Sequence, residues 1–388
     1  MFFYISKEPQ SNFPHNHKTK NFVISLDEGW CHDKDHHGND LWYKGYLDDG
    51  KLSDLVREIC QETEPMYMGN FCIIKVFDCG VVIHSDRLRS FPLWHDPQKG
   101  LTNLQNIGET YWSDSFITLE NDLTLIHSKF DAIGAIDSGL LTEDQVLGQI
   151  DILMDSKIKS FLKSQDSPIK IFLSGGVDSA FVFSYIQKHT DNYEVVLHEH
   201  IDFDYFYLKN YEHLQQFWGY KQIHHWYTDT VLSSGAPGDE FSCRNPLTVD
   251  LLLRYHGTSF IDIMHDTKFL NSLNYKFFKN NYLKKISDRI LTDSLTDLRS
   301  IIKKCCDHNI NDWQHWHLGK TLTYTPLRDI EMFKLYARLE VDSLIEQLMN
   351  SAIQVKLIEK NNPKLLDILT PVKNFNAKQN LVHLLKQI

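Results

Sequence analysis

The chain of 388 residues holds no apolar run near the roughly 18 residues that span a bilayer. It has no internal repeat and no low-complexity tract, which sets aside solenoid and fibrous architectures. The 7 cysteines are scattered without a Cys-x-x-Cys pair, so neither a zinc ribbon nor a disulfide framework is spelled out. Positive charge is short: 40 Lys and Arg face 51 Asp and Glu, a formal charge of −11. Such a surface repels phosphate backbones and anionic lipid, so neither nucleic acid nor a membrane is an expected partner. The opening stretch, Met1–Asn12, turns polar too soon for a secretory leader. With unpaired thiols, this predicts a reduced, cytoplasmic protein. What remains is an ordinary globular mixture, 42% hydrophobic and 23% charged. At about 100–200 residues per domain it has room for two or three domains.

Periodicity divides the chain near residue 140, where Gly134, Ser138 and Gly139 fall. Before that point the sequence reads as short strands, Phe22–Leu26, Leu41–Tyr46, Phe71–Val76 and Val81–His84, with Asp78–Gly80 as a hairpin turn. Lys51–Glu62 carries one helical face, Leu52, Leu55, Val56, Ile59 and Cys60. After it the period becomes helical and then alternates. An amphipathic helix, Glu143–Leu162, presents Val146, Ile150, Leu153, Met154, Ile158 and Leu162. It precedes a strand at Ile169–Leu173, a helix at Ser179–His189, a strand at Tyr193–His198, a helix at Tyr207–Phe217 and a strand at Gln222–Tyr227. Strands alternating with helices predict a parallel sheet with covered faces, hence an α/β fold for this half. Leu247–Ile388 reads as mainly helical, most clearly at Leu335–Leu348 and Leu381–Ile388.

The chemistry concentrates in one turn. A buried strand runs into Ser174-Gly175-Gly176-Val177-Asp178-Ser179, and a helix begins there. Adjacent glycines allow close approach of a ligand to the backbone. The hydroxyls of Ser174 and Ser179, together with N–H groups at the helix start, suit a polyphosphate. Asp178 would repel that anion unless Mg²⁺ bridges them. The turn is neither a Walker A loop nor a Rossmann Gly-x-Gly-x-x-Gly.

This Ser-Gly-Gly-x-Asp-Ser turn resembles the loop of the PP-loop ATP pyrophosphatases, which cleave ATP between the α- and β-phosphates and adenylate a substrate oxygen. Ser233–Phe241 resembles the second phosphate loop of the asparagine synthetase-like members. Met68–Phe71 and Ser85–Trp94 resemble passages of their glutaminase domain. The resemblance implies an N-terminal Ntn-hydrolase-like α+β domain over residues 1–140. It implies a PP-loop, adenine nucleotide alpha hydrolase-like domain with a helical C-terminal part over residues 141–388. It also implies that ATP is held by Leu173, Ser174, Gly175, Gly176, Val177, Asp178, Ser179 and Gly235. Mg²⁺ falls to Asp178 and Asp239, and catalysis to Asp178, Asp239 and Glu240.

The likeness breaks at informative places. Glutamine-hydrolysing members expose a cysteine after Met removal, whereas position 2 is Phe2, and their Asn-Gly-Glu clamp falls on Lys44-Gly45-Tyr46. A degenerate first domain of this kind resembles β-lactam synthetases and lasso-peptide cyclases. An acidic residue used in amide formation falls on Ala236. Thr325–Asp329 corresponds to the segment that precedes a pyrophosphate-steadying lysine, with Lys356 and Lys360 as the candidates and a solvated helix face as the plainer reading. His198, His200, Asp202 and Asp204 extend a strand toward the adenosine pocket or the acceptor site, whereas His32, Asp33, Asp35, His36 and His37 read as a polar loop rather than a metal site.

The expectation is an ATP- and Mg²⁺-dependent ligase that joins a small-molecule carboxylate to an amine or ammonia. Its first domain is left as a scaffold, a homodimer contact or part of the acceptor site. The rivals are a PP-loop RNA-modifying ligase and a catalytically inactive nucleotide-binding homologue.

Overall fold

A computed structural model describes residues 2–48, 51–58, 67–89, 93–103, 107–111, 115–163, 169–173, 176–197, 232–233, 238–244, 299, 302–303, 306 and 323–368. The chain is a mixed α/β protein. Its first part is a run of antiparallel strands: β1 (Phe3–Ser6), β2 (His15–Lys18), β3 (Val23–Leu26), β4 (Cys31–Lys34), β5 (Asp40–Leu47), β6 (Gly69–Phe77), β7 (Gly80–Ser85), β8 (Leu93–Asp96), β9 (Gly100–Thr102), β10 (Glu109–Tyr111), β11 (Ser115–Glu120) and β12 (Leu125–Lys129). They form two six-stranded sheets, ordered β10-β8-β9-β1-β3-β2 and β12-β11-β7-β6-β5-β4. The inner faces meet through Phe3, Ile5, Ile24 and Leu26 on one side and Cys72, Ile74, Val81, Ile83 and Ile117 on the other. Period-two alternation accounts for this: the opposite face of the second sheet offers Leu41, Phe71 and Ile73 to helix α1 (Leu52–Glu58), through Leu52, Leu55 and Val56.

The four strands read from the first part of the sequence are present, with their ends moved by a residue or two. The His/Asp-rich segment departs from expectation. Cys31–Lys34 is an edge strand paired with β5 in register His32↔Trp42, not a loop. The turn that follows is fixed by Asp35, which accepts from the His37 and Asn39 backbone N–H groups at 2.8 and 2.9 Å and meets Lys75 at 2.8 Å. Polar composition hid a hairpin whose buried anchor is itself a charge.

The second part starts with α2 (Glu143–Lys163), whose buried stripe is Val146, Ile150, Met154, Lys157, Ile158 and Phe161. Phe161 replaces Leu162 as the buried residue of the last turn, and Leu153 lies only partly buried. Strand β13 (Ile169–Leu173) is followed by α3 (Val177–His189), β14 (Tyr193–Leu197), β15 (Leu232–Ser233), the short α4 (Gly238–Phe241) and β16 (Thr323–Tyr324). The four strands pair parallel in the order β14-β13-β15-β16. Parallel neighbours cannot be joined by a tight hairpin, and between β13 and β14 the crossover is α3. Ala180 to Ile186 are buried without a break, because α3 packs on β13, α2 and a later helix at once. The expected elements at Tyr207–Phe217, Gln222–Tyr227 and Leu381–Ile388 lie outside the described residues.

The piece expected as one helix, Leu335–Leu348, is two: α5 (Ile330–Ala337) and α6 (Val341–Asn350), followed by α7 (Ala352–Asn361). The break at Arg338–Glu340 has a tertiary cause. Leu339 forms a parallel bridge with Leu141, whose N–H donates to the Arg338 carbonyl at 2.8 Å. Chain entering the second part thereby captures backbone groups that would otherwise continue the helix.

The two parts share a buried seam. Asp86, at the end of the sandwich, meets Arg328 at 3.0 Å with both side chains buried. Lys157 of α2 lies between Asp48 at 2.9 Å and Asp329 at 2.5 Å. Burial alone would lower the Lys157 pKa; the two carboxylates outweigh it and hold the ammonium above its usual value. Tyr46 of β5 packs on Phe161 and on Tyr324, and Phe161 stacks on Tyr324 with ring centres 3.5 Å apart.

Candidate functional site

Strand β13 is central in its sheet, and its end delivers the chain to the start of α3. Leu173 is the last strand residue and is buried; Ser174 and Gly175 lie outside the described residues. Gly176 is the N-cap, with an extended backbone and no side-chain cap, and Val177 opens the helix. A helix start presents N–H groups and positive potential, so the acidic Asp178 in the first turn is favourably placed. Ser179 is buried and donates its hydroxyl to the Gly176 carbonyl at 2.9 Å, which tightens the turn.

A second helix start reaches the same spot. Gly238 opens α4, and a Cβ placed on it would lie 2.3 Å from Cγ and 2.5 Å from Oδ1 of Asp178. No side chain larger than hydrogen fits, so glycine sets how closely the two segments approach. Asp239 and Glu240 belong to α4, but their side chains lie outside the described residues, as do Gly235 and His198.

Sequence reasoning missed what completes the site. Arg244 donates through Nη1 to Oδ1 of Asp178 in an ion pair about a tenth to a fifth exposed, 10% for Arg244 and 19% for Asp178. Arg244 is aimed by its neighbours. Cys243 is buried with φ of 54°, in the left-handed region that ordinary residues avoid. Ser242 Oγ donates to the Gly238 carbonyl, and the Ser242 carbonyl accepts from Nε2 of the buried Gln347 at 2.9 Å. Gln347 in turn accepts from the Ile353 N–H at 2.9 Å, so α6 and the start of α7 fix the segment carrying Arg244. Tyr336 of α5, fully buried and within electrostatic reach of both members of the pair, carries a hydroxyl that has no hydrogen-bond partner among the described residues. Burial pushes that phenol well above its usual pKa and Asp178 adds to the rise, whereas Arg244 opposes it. The lone signal in the sequence was a single arginine directly after an acidic, glycine-containing loop.

The two candidate lysines lie elsewhere. Lys356 pairs with Glu143 and Lys360 with Asp151 at 2.7 Å, both on the exposed side of α7 against α2. Their charge is spent on a helix–helix contact. Among the described residues, no group of three or more His, Cys, Asp or Glu side chains is arranged to hold a metal ion.

The positions compared with a glutaminase site are filled. Lys44 meets both Asp27 oxygens at 3.2 Å, and Trp30 donates to Asp27 at 2.6 Å. Gly45 has φ of +118°, and a Cβ there would lie 2.0 Å from the Asn70 carbonyl oxygen. Tyr46 is spent in the seam. The Phe2 carbonyl accepts from the Asp27 N–H at 3.2 Å, which extends the pairing of β1, an interior strand, with β3. No protein-family model matches the chain, and no curated protein matches it.

Proposed function

We propose that this chain is an ATP- and Mg²⁺-dependent amide ligase of the asparagine synthetase-like PP-loop type. It adenylates a carboxylate, releases pyrophosphate, and passes the acyl group to an amine or ammonia with release of AMP. The observation that carries this reading is the meeting of Gly238 with Asp178 at the end of the central parallel strand. Ligands of parallel α/β sheets sit at the carboxyl ends of the strands, and two helix starts converging there form an anion cradle.

The residues fit a polyphosphate: the start of α3 at Gly176–Ser179 and the Arg244 guanidinium bonded to Asp178 are donors side by side, and the buried Tyr336 hydroxyl lies within electrostatic reach of Asp178 and Arg244. They fit Mg²⁺ through Asp178, whose carboxylate is engaged by Arg244. Bound Mg·ATP supplies an electrophilic α-phosphorus and a pyrophosphate leaving group. The protein's part is to orient the phosphates on the start of α3 and to neutralise charge as it develops. Asp239 and Glu240 complete the proposed catalytic set with Asp178, and Gly235 the nucleotide loop. Glutamine is not the nitrogen source in this reading, because Lys44 and Tyr46 occupy the clamp positions. The partners are small carboxylates and amines in the cytoplasm. Among the described residues no helix is long and apolar enough to cross a membrane.

A second reading is favoured by one observation. The Asp178–Arg244 pair supplies the carboxylate with an internal cation, as expected of a homologue that binds nucleotide without turnover. Incubating α-labelled ATP, Mg²⁺ and a pool of amino acids, polyamines and ammonium with wild type and Asp178→Asn separates the two. AMP from wild type alone supports the ligase. Nucleotide binding without AMP supports the inactive homologue, and no binding sinks both.

A further inference from the structure

We infer that Arg244 is an internal competitor for the divalent cation at Asp178: it holds the carboxylate until metal arrives and then serves as a cation for the polyphosphate. The inference rests on the nucleotide reading of this loop, and it concerns how the site is loaded rather than what it makes.

Three features support it. First, the pair is reachable. Asp178 and Arg244 keep 19% and 10% of their side-chain surface exposed, unlike Asp86 and Arg328 at 0% and 3%. A partly solvated pair can exchange partners, whereas a buried one leaves an uncompensated charge when it opens. Second, the arginine is delivered by a strained and anchored turn. The left-handed Cys243 and the Gln347 clamp on Ser242 hold the backbone of Arg244 in place, so only its side chain need move. Third, a neighbouring buried group keeps a donor in reserve. The Tyr336 hydroxyl is buried, has no partner among the described residues, and lies within electrostatic reach of both Asp178 and Arg244. A buried hydroxyl without a partner costs stability, and an incoming oxygen ligand removes that cost.

The exchange is stepwise and involves no covalent change. Mg²⁺ takes the carboxylate oxygen of Asp178, and the guanidinium turns toward the phosphate oxygens, to which its planar fork is suited. Arg244 is thus a binding residue that sets the affinity of the empty site for metal and of the metal-free site for phosphate. Without nucleotide, metal must displace the guanidinium and binds weakly; with nucleotide, the displaced cation finds a new anion and loading is cooperative.

The test uses the full chain with Mn²⁺ as spectroscopic probe, followed by electron paramagnetic resonance without nucleotide, and with ATP in EDTA as the metal-free anion. Arg244→Gln is expected to bind Mn²⁺ about tenfold tighter than wild type and metal-free ATP about tenfold weaker. Arg244→Lys, which keeps the charge but not the fork, should fall between, and stands in if the glutamine variant fails to fold. The double variant Arg244→Gln/Asp178→Asn should lose the Mn²⁺ gain. Equal Mn²⁺ affinity in wild type and Arg244→Gln overturns the inference, as does a gain that survives in the double variant. If ATP binds to none of the proteins, the nucleotide reading fails, and the Mn²⁺ series alone still reports whether Arg244 competes at Asp178.

Discussion

Two ion pairs, one in each half of the molecule, show how differently the same chemistry is used. In the sandwich, Lys75 and Asp35 meet at 2.8 Å with side chains 3% and 0% exposed. Asp35 also accepts from the backbone of His37 and Asn39 and from Asn39 Nδ2. Burial alone would raise that carboxyl, but Lys75 and Asn39 hold it well below the usual carboxylate range. In the parallel-sheet half, Asp178 and Arg244 make the same kind of bond with solvent still touching both. The first pair is a fixture of the hairpin. The second sits at two helix starts, beside a glycine whose Cβ would overlap the Asp178 side chain and within electrostatic reach of a buried tyrosine hydroxyl that has no partner among the described residues. Where a carboxylate is fully committed, the molecule gains a shape; where it is held by a cation in contact with water, the pair can open at less cost, which is what the proposed nucleotide site requires.

The sharpest test of that contrast lies at the reachable pair. Asp178→Asn, with Gly238→Ala as a steric partner, is expected to lower AMP formation at least about 10²–10³-fold. Asp178→Asn should keep the wild-type far-ultraviolet spectrum. Substantial AMP from Asp178→Asn would remove this loop from the chemistry.

Next in size is the buried seam. Lys157→Met leaves Asp48 and Asp329 facing one another with no cation, and should cost about 3–5 kcal/mol in urea denaturation. A loss near that of a surface lysine would mean that the two halves are less tightly joined than the buried seam implies.

The third test uses pH. His84 is buried, and burial first and Lys75 second lower its pKa from 6.5 to about 3. The unfolded chain therefore takes up this proton as pH falls below 6.5, while the folded chain takes it up only near 3. Stability should decline across that window, at most by about 1.4 kcal/mol per pH unit for this group. Asp35 and Asp329, held low by Lys75 and Lys157, act in the same direction at lower pH. Their contribution is present above the ordinary carboxylate pKa and is lost as pH falls toward their depressed values. His84→Gln should flatten the slope between 6.5 and 3 in chemical denaturation; an unchanged slope would show that His84 titrates normally.

The smallest effect is expected from Lys356→Ala and Lys360→Ala. Both pairs are exposed, and each should change stability by no more than about 1 kcal/mol. Unchanged AMP formation would confine these lysines to the α2–α7 contact, whereas a large loss of turnover would return one of them to the site.

Local patterns made much of this legible. Four strands of the first part with the hairpin turn at Asp78–Gly80, the apolar face of α2 and the strand and helix on either side of the Asp178 turn all follow from residues within one or two turns of each other; the other eight described strands of the first part were not read. What escaped was long-range. Arg244 meets Asp178, Lys157 meets Asp48 and Asp329, and Leu339 meets Leu141 across wide gaps in sequence, which periodicity does not record. One clue was present: Lys157 stands on the apolar stripe of α2 between Met154 and Ile158. A lysine there must either reach water or find buried anions. The break between α5 and α6 left no such trace, since Arg338 and Leu339 are good helix formers and only the partner strand segment stops them.

The stacking of Tyr46, Phe161 and Tyr324 sets a timetable for synthesis. One ring is translated near the beginning, one near the middle, and the last only when most of the chain has emerged. At about 5–20 residues per second, Tyr46 waits roughly fifteen seconds to a minute on the ribosome for its second neighbour. Phe161 arrives sooner, so for the rest of that interval the Tyr46–Phe161 pair lacks its third ring, and the seam between the two parts is completed only late in synthesis.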